Sequence, residues 1–405
     1  MTNEATRSFI RQHAHDDVRQ TALRGTGNPE VDLTYALQQI AGRQMATTKI
    51  PSWAAIEEIT YPPHLSMEQC SSELTAQYKA RIAGNGERLV DLTAGFGVDM
   101  AFMAKGFRQA VQVERQQALC DISKENYQTL GLPQIEVVCG DGTEYLHTMA
   151  HADLLYIDPA RRDDHGGRTY GISDCTPNVL EMLDEMLQKA DRVLIKLSPM
   201  LDWRKAVADV GSVSSVHIVS VDNECKELIL EKVKKGEGEK VRKEEREKVR
   251  VICVNLLSDG TEQRFEFDDP HPLTLSPSPP LTFSHSPLLF LPNASLMKAG
   301  CFDLIASRYG VRQLDSNSHL FVSDTEVCDF PGRCFVIERT CSMNKRELKT
   351  CLADIRQANI SVRNFPMTVA ELRKRLKLKD GGDTYIFATT VANLGCQLLV
   401  CRKKP

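Results

Sequence analysis

The sequence predicts an α/β fold: a doubly wound, Rossmann-like parallel sheet behind a helical N-terminal cap, with two small C-terminal α+β modules. Three observations lead there. Between residues 88 and 197, short apolar runs of strand length alternate with helical stretches and short connections. Strands that apolar, separated by helices, belong to a parallel sheet covered on both faces. Residues 88–114 carry a strand–glycine turn–helix–strand–acid layout, with Thr93-Ala94-Gly95-Phe96-Gly97 as the turn and Glu114 as the acid. Finally, each of the first four expected strands has an acid at or just past its carboxyl end: Asp91, Glu114, Asp141 and Asp158. Ligands of open parallel sheets bind at that edge.

Residues 1–75 read as helices. Val31, Tyr35, Leu37 and Ile40 keep helical spacing behind Asn28-Pro29, while Ile50-Pro51 and Tyr61-Pro62-Pro63 act as breakers. A helix after Ser71-Ser72 carries Leu74, Tyr78 and Ile82 and runs into the sheet. From it, Tyr78 and Lys79 either pack in the cap or reach the ligand rim. The central domain is expected over 76–268, with strands at 88–93, 110–114, 135–139, 153–157 and 192–197. Helices at 98–105, 116–130, 143–150 and 178–189 separate them. Val213–Val221, Leu228–Val233 and Val249–Leu257 read as antiparallel edge strands, and the sign-alternating stretch 234–250 as a solvated hairpin tip. Seven prolines make 269–292 a linker. One α+β module is expected at 293–330, where 294–309 reads as helix. A second at 331–405 has helices at 344–358 and 369–378 behind the capping-box spacings Asn344-x-x-Glu347 and Thr368-x-x-Glu371.

Bulk composition narrows the setting. A net charge of −4 with 26% charged residues gives no overall bias toward nucleic acid, although an average hides local patches. Thirteen cysteines without a C-x-x-C pair indicate free thiols in a reducing cytoplasm, not disulfides or zinc. The N-terminus lacks an apolar signal region, and no long uncharged apolar run occurs, so neither secretion nor a membrane span is expected. His147 and His151 stand four apart without a third ligand, so no metal is expected.

The glycine turn is not the dinucleotide G-x-G-x-x-G, because position 100 is Met. Asp91 at the strand end suits a cationic, amine-bearing ligand better than a pyrophosphate, and S-adenosylmethionine (SAM) fits that description. Asp91, Thr93 and the Gly95 and Gly97 backbone are then expected at the methionine portion. Glu114 has the two acceptor oxygens that ribose hydroxyls require, and Asp141 is expected at the adenine amine. Any one of these acids alone is equally a strand-end turn residue.

Asp158-Pro159-Ala160-Arg161 ends the fourth strand. Enzymes that methylate an exocyclic amine of a base often carry Asn/Asp-Pro-Pro-aromatic there. The carboxylate or amide oxygen and a backbone carbonyl accept the two N–H bonds and turn the nitrogen lone pair toward the methyl donor. Asp158 and Pro159 are therefore the candidate catalytic pair. Ala160 and Arg161 depart from the pattern, and Arg161 and Arg162 could instead bind phosphate or stack on a base. Lys196 is odd in so apolar a strand; it either snorkels or faces substrate. The loop Lys196-Leu197-Ser198-Pro199 has no cysteine, which disfavours covalent attack on a pyrimidine.

Residues 88–199 resemble a class I SAM-dependent methyltransferase domain. Asp91-Leu-Thr-Ala-Gly-Phe-Gly-Val-Asp99 is particularly similar to the first motif of bacterial small-subunit ribosomal RNA guanine-N2 methyltransferases. The whole chain, including Phe365-Pro-Met and Gly381-Gly-Asp-Thr-Tyr-Ile-Phe387, resembles bacterial methyltransferases with a C-terminal THUMP-like domain and a small ferredoxin-like domain before it. The resemblance implies an RNA methyltransferase without carrying over its target; the expected reaction is N-methylation of a base in structured RNA, rRNA or tRNA. The charge count agrees: from 341 to 405 thirteen Lys and Arg face five acids, a balance of +8. Arg373, Lys374 and Arg375 head a cluster running to Lys379 that could track phosphates. Two other readings stand beside this one. The acceptor could be a small molecule or a protein, or the chain could be a non-catalytic RNA-binding protein on a methyltransferase scaffold.

Overall fold

A computed structural model describes residues 2–161, 171–234, 248–270 and 287–404. The chain divides into two compact units, Met1–His217 with Lys226–Val249, and Ile218–Cys225 with Arg250–Pro405. The charged stretch 235–247 and residues 271–286 of the proline-rich stretch lie outside the described residues.

The first unit opens with helices, among them Glu4–Gln12, Val18–Arg24, Leu33–Lys49, His64–Gln69 and Glu73–Ala83. Asn3, Asp17, Asp32 and Ser72 each accept a bond from the backbone N–H three residues on, satisfying a donor that a helix start leaves unpaired. The third helix starts at Leu33 rather than at Asn28-Pro29. Asp32 provides its cap, and the Asn28 side chain accepts from Glu30 N instead. Several side chains of this helix anchor the chain downstream of it, Gln39 and Lys49 among them. Gln39 exchanges two bonds with the Tyr61 backbone, at 2.8 and 2.9 Å. Lys49 donates to the carbonyls of Met67 and Glu68, pinning the segment that leads to Ser71.

Behind the cap lies the predicted sheet. Its strands include β1 (Gly86–Asp91), β2 (Phe107–Glu114), β3 (Ile135–Cys139), β4 (Ala152–Ile157), β5 (Ala190–Leu197), β6 (Ser215–Val221) and β7 (Glu224–Val233). In space β1–β5 and β7 follow the order β3-β2-β1-β4-β5-β7, parallel except where β7 joins β5 antiparallel. Leu89, Val90, Leu154, Leu155, Ile157, Val193, Leu194 and Ile195 are fully buried, as strands covered on both faces must be. Register sets the carboxyl ends side by side: Asp91 opposite Gln112 and Tyr156, Glu114 opposite Cys139, and Ile157 opposite Ile195.

In the second unit one seven-stranded sheet runs in the order 312–313, 321–323, 288–292, 332–342, 395–403, 384–391, 359–363. Leu288–Pro292 is a strand, although the proline-rich stretch reads as linker through 292; Leu289, Phe290 and Leu291 are an almost fully buried run that pairs with 332–342. Leu289, Phe335, Phe387 and Leu399 pack on one face, while Ile386, Ala388, Leu398 and Val400 pack on the other with Leu372 of helix Val369–Leu376. The helix expected over 294–309 is two, Ala294–Ala299 and Phe302–Tyr309, divided at left-handed Gly300. Only one of the two capping boxes forms. Thr368 and Glu371 make theirs, whereas Glu347 reaches back to Ser342 N and the short helix Lys345–Cys351 follows.

Candidate active site

At the carboxyl edge of the sheet a cleft of about 760 Å³ opens within the first unit. Thr93–Gly97 after β1, Glu114–Gln116 after β2, Gly142 and Thr143 after β3, Asp158–Ala160 after β4 and Lys196–Pro199 at β5 line it. The cap adds Ser66, Glu68–Ser71, and β7 adds Lys226. Its size falls in the range of small-ligand sites, about 300–1,000 Å³.

One end is built from backbone donors and Glu114. The two Glu114 oxygens accept from Gly95 N at 2.9 Å and Gln116 N at 2.8 Å. A carboxylate has about four acceptor positions, so each oxygen keeps one for a ligand hydroxyl. Gly97 adopts a left-handed conformation (φ +82°) to start helix Val98–Met103, and a Cβ there would stand 2.1 Å from the Tyr127 hydroxyl. Gly142 is held as closely: a Cβ would lie 2.1 Å from the Leu92 carbonyl oxygen. At Gly95 an added Cβ would meet no atom within 4 Å, which leaves that backbone open to a ligand. Free carboxylate lone pairs beside an open glycine backbone, in a cleft of this volume, fit the ribose and methionine parts of SAM.

Two of the four strand-end acids do not line this cleft. Asp91 is 1% exposed beneath the glycine loop and accepts from Thr93 N at 2.9 Å. Burial raises its pKa well above the usual carboxylate range; the Thr93 bond works the other way, and Asp99, Asp158 and Glu114 add to the rise. Asp141 caps helix Gly142–Thr148 through bonds from Thr143 N and Glu144 N and pairs with Arg115. Burial would raise its pKa, but the two N–H bonds and Arg115 hold it below the usual value. The carboxylate expected at an adenine amine is thus engaged in the helix start, and Gly142 and Thr143 face the cleft in its place.

At the other end stands Asp158. Its backbone N donates to Thr93 Oγ1 at 2.7 Å, and its Oδ2 accepts from Lys196 Nζ at 2.5 Å. Of the two readings of Lys196, snorkelling does not fit: its side chain lines the cleft, paired with Asp158. Ser71 Oγ lies 3.4 Å and Asp99 Oδ2 3.9 Å from the same ammonium. Asp99 is in turn bonded by Ser71 at 2.8 Å and Tyr156 at 2.9 Å, and lies 3.2 Å from Lys79 Nζ. Lys79, wholly buried, spans both oxygens of Glu227 at 2.8 and 2.7 Å. Burial opposes the charge on Lys196, yet Asp158, Asp99 and Glu227 outweigh it and raise its pKa. Burial likewise opposes ionisation of Asp99, but Lys79 and Lys196 hold its pKa below the usual value. For Glu227 burial wins, and the pKa is raised against the pull of Lys79 and Lys196.

Lys79 and Tyr78 belong to this interior, not to the rim. Tyr78 Oη lies 2.8 Å from His217 Nδ1, and neither residue lines the cleft. Ser71, Asp99, Glu227 and Lys226 carry no signal in a strand-end pattern. The available hint is Asp99 within Val98–Met103, a helix buried at every position, where a charge needs a partner. Arg162 and the side chain of Arg161 lie outside the described residues; the Arg161 backbone pairs with Cys175. Among the described residues no group of three or more metal-ligating side chains is assembled, and His147 and His151 pair with Glu185 and Asp191. In the second unit Arg373 is committed to Asp380 and the Ala358 carbonyl, whereas Lys374 and Arg375 are exposed. No helix among the described residues is long and apolar enough to cross a membrane.

Comparison with known proteins covers both units. Residues 332–403 match a THUMP domain-like family, 288–331 a ferredoxin-like domain, and 45–163 the protein-L-isoaspartate(D-aspartate) O-methyltransferase family. A protein-L-isoaspartate O-methyltransferase of Methanoculleus marisnigri is 26% identical over 137 residues, 33% of this chain and 56% of that relative. The chain thus spans little more than half the length of that curated relative. The crystal structure of a "putative methyltransferase" from Porphyromonas gingivalis W83 is 32% identical, covers 99% of this chain and 98% of its own, and superposes with a TM-score of 0.85. At that identity and coverage the chain belongs to the family of the Porphyromonas gingivalis protein, class I SAM-dependent methyltransferases with ferredoxin-like and THUMP-like C-terminal parts.

Proposed function

We propose that the protein transfers the methyl group of SAM to an exocyclic nitrogen of a base in structured RNA, ribosomal or transfer. The observation that carries this reading is Asp158. Its carboxylate stands at the carboxyl end of β4, tied through its backbone to Thr93 of the glycine turn and through Oδ2 to Lys196, in the same cleft as Glu114. When bound, SAM supplies an electrophilic sulfonium methyl. The chain's own residues do the rest. Glu114 accepts the ribose hydroxyls, and Gly95, Gly97 and Thr93 frame the methionine end with Asp91 fixing the turn from below. Asp141 serves the adenine end indirectly, by setting the helix start that presents Gly142 and Thr143.

At the acceptor, Asp158 and the Pro159 carbonyl accept the two N–H bonds of the amine and aim its lone pair; Asp158 takes the proton that nitrogen gives up after transfer. Positioning of this kind accounts for about 7–11 kcal/mol at best. Exposed Lys374 and Arg375, in a segment matching a THUMP domain-like family, support an RNA acceptor. Thirteen cysteines spaced without a C-x-x-C pair support a cytoplasmic setting.

Methylation of a protein carboxylate is the second reading, favoured by the match over 45–163. That match ends just past Asp158 and so concerns the cofactor half. Incubation with methyl-labelled SAM and either total RNA from cells lacking this protein or an isoaspartyl peptide, followed by nucleoside analysis, decides between them. Label in a methylated base supports the proposal. Label confined to the peptide overturns it.

A further inference from the structure

We propose that Lys79, Asp99 and Glu227 are positioning residues for the acceptor end of the cleft: as one buried charge chain they set how Lys196 is shared between Asp99 and Asp158, and so fix the Asp158 carboxylate. The proposal rests on the reading of Asp158 as the acceptor-orienting group.

The geometry is a line of alternating charge. Glu227 on β7 holds Lys79 of helix Glu73–Ala83 at 2.7 and 2.8 Å; Lys79 lies 3.2 Å from Asp99 Oδ1. Asp99 Oδ2, at the start of helix Val98–Met103, lies 3.9 Å from Lys196, whose ammonium is 2.5 Å from Asp158. Ser71 Oγ bridges the middle, within 3.4 Å of both lysines and 2.8 Å of Asp99. Lys79 is fully buried, Glu227 is 2% exposed, and neither lines the cleft. Buried ion pairs contribute weakly to stability once desolvation is counted, so a five-member chain that ends on a functional carboxylate calls for another role.

Charge balance says what that role is. Without Lys79, Asp99 and Glu227 both draw Lys196 inward and Asp158 loses its tether. Without the Glu227 charge, Lys79 turns wholly to Asp99, the inward pull of Asp99 on Lys196 weakens, and Lys196 binds the Asp158 carboxylate it already touches more tightly, competing with an acceptor for it. Removing Lys79 and the Glu227 charge together restores the balance among Asp99, Lys196 and Asp158. In this arrangement the cap helix belongs to the acceptor machinery, although it supplies no side chain of its own to the cleft beyond the Ser66–Ser71 segment before it.

The test compares native protein with Lys79→Met, Glu227→Gln and the double variant, at a temperature where each is folded by its melting curve. Three readouts are taken: affinity for S-adenosylhomocysteine by calorimetry, the rate of labelled-methyl transfer to RNA from cells lacking the protein, and the NMR signals of the Lys196 ammonium and the Asp158 carboxyl carbon. Those signals are assigned with Lys196→Met and Asp158→Asn. Each single variant is expected to lose about tenfold or more in kcat with cofactor affinity within about threefold, and to shift both signals; the double is expected to recover rate and signals. A merely structural role would move melting temperatures and leave kcat and the signals unchanged in folded protein, which overturns the proposal. If Lys79→Met does not fold, Glu227→Gln and the double decide alone. Absence of transfer by native protein to any RNA sinks the RNA reading only. The two NMR signals then decide this proposal: movement in the single variants and return in the double sustain it, and unmoved signals refute it.

Discussion

Asp91 shows most plainly how a residue read from sequence differs from the residue in place. Its position at the end of β1 is legible from an apolar run that closes on an acid. That the side chain turns beneath the loop, with 1% exposure, depends on Thr93 N and on packing no pattern encodes. Its raised pKa has a testable consequence. Between the unfolded value, about 4, and the higher native one, the native state binds more protons than the unfolded chain, so stability falls as pH rises through that window. Asp91→Asn is expected to raise the melting temperature near about pH 8, with the gap closing toward about pH 4, and to weaken SAM binding. A melting temperature unchanged across that range in thermal scans would contradict the account. Gly97→Ala is expected to destabilise by more than about 1 kcal/mol, because its φ is +82° and the new methyl would meet Tyr127. Glu114 and Asp158 face the cleft as their strand-end positions imply; Asp141 does not, since helix starts compete for the same residue type.

At the scale of elements, the parallel strands were legible because β1, β4 and β5 are buried on both faces and read as continuous apolar runs. Helix ends were less so. Thr368 and Asn344 share the same spacing to a glutamate, but only Thr368 makes the reciprocal box, as Glu347 finds Ser342 N closer to hand. Thr368→Ala is therefore expected to cost about 1 kcal/mol in denaturant unfolding, and Glu347→Ala to leave the Asn344 cap intact. The strand at 288–292 was hidden by the prolines around it, although Pro287 and Pro292 merely bracket a buried apolar run. What sequence spacing could not give at all was the association of helix Glu73–Ala83 with β7 through Lys79 and Glu227, residues 148 positions apart.

For the whole molecule, family membership rests on likeness along nearly the entire chain, while the RNA acceptor is a proposal supported by the basic C-terminal segment. Deleting 331–405 would be a poor probe of that segment, because it would strip four strands from a seven-stranded sheet. Charge reversal is cleaner. Lys374→Glu with Arg375→Glu is expected to weaken RNA binding about tenfold or more and to lower the slope of log affinity against log salt by about 2, in filter binding across a salt series. An unchanged slope would remove that helix from the interface.

On the proposed reading, one cleft has a cofactor end at Glu114 and an acceptor end at Asp158. Calorimetric titration of SAM into native protein, Glu114→Ala and Asp158→Ala tests it most directly. The account predicts saturable binding by native protein, a loss of about tenfold or more for Glu114→Ala, and an affinity within about threefold of native for Asp158→Ala. No binding of SAM by native protein, or equal losses in both variants, would contradict it.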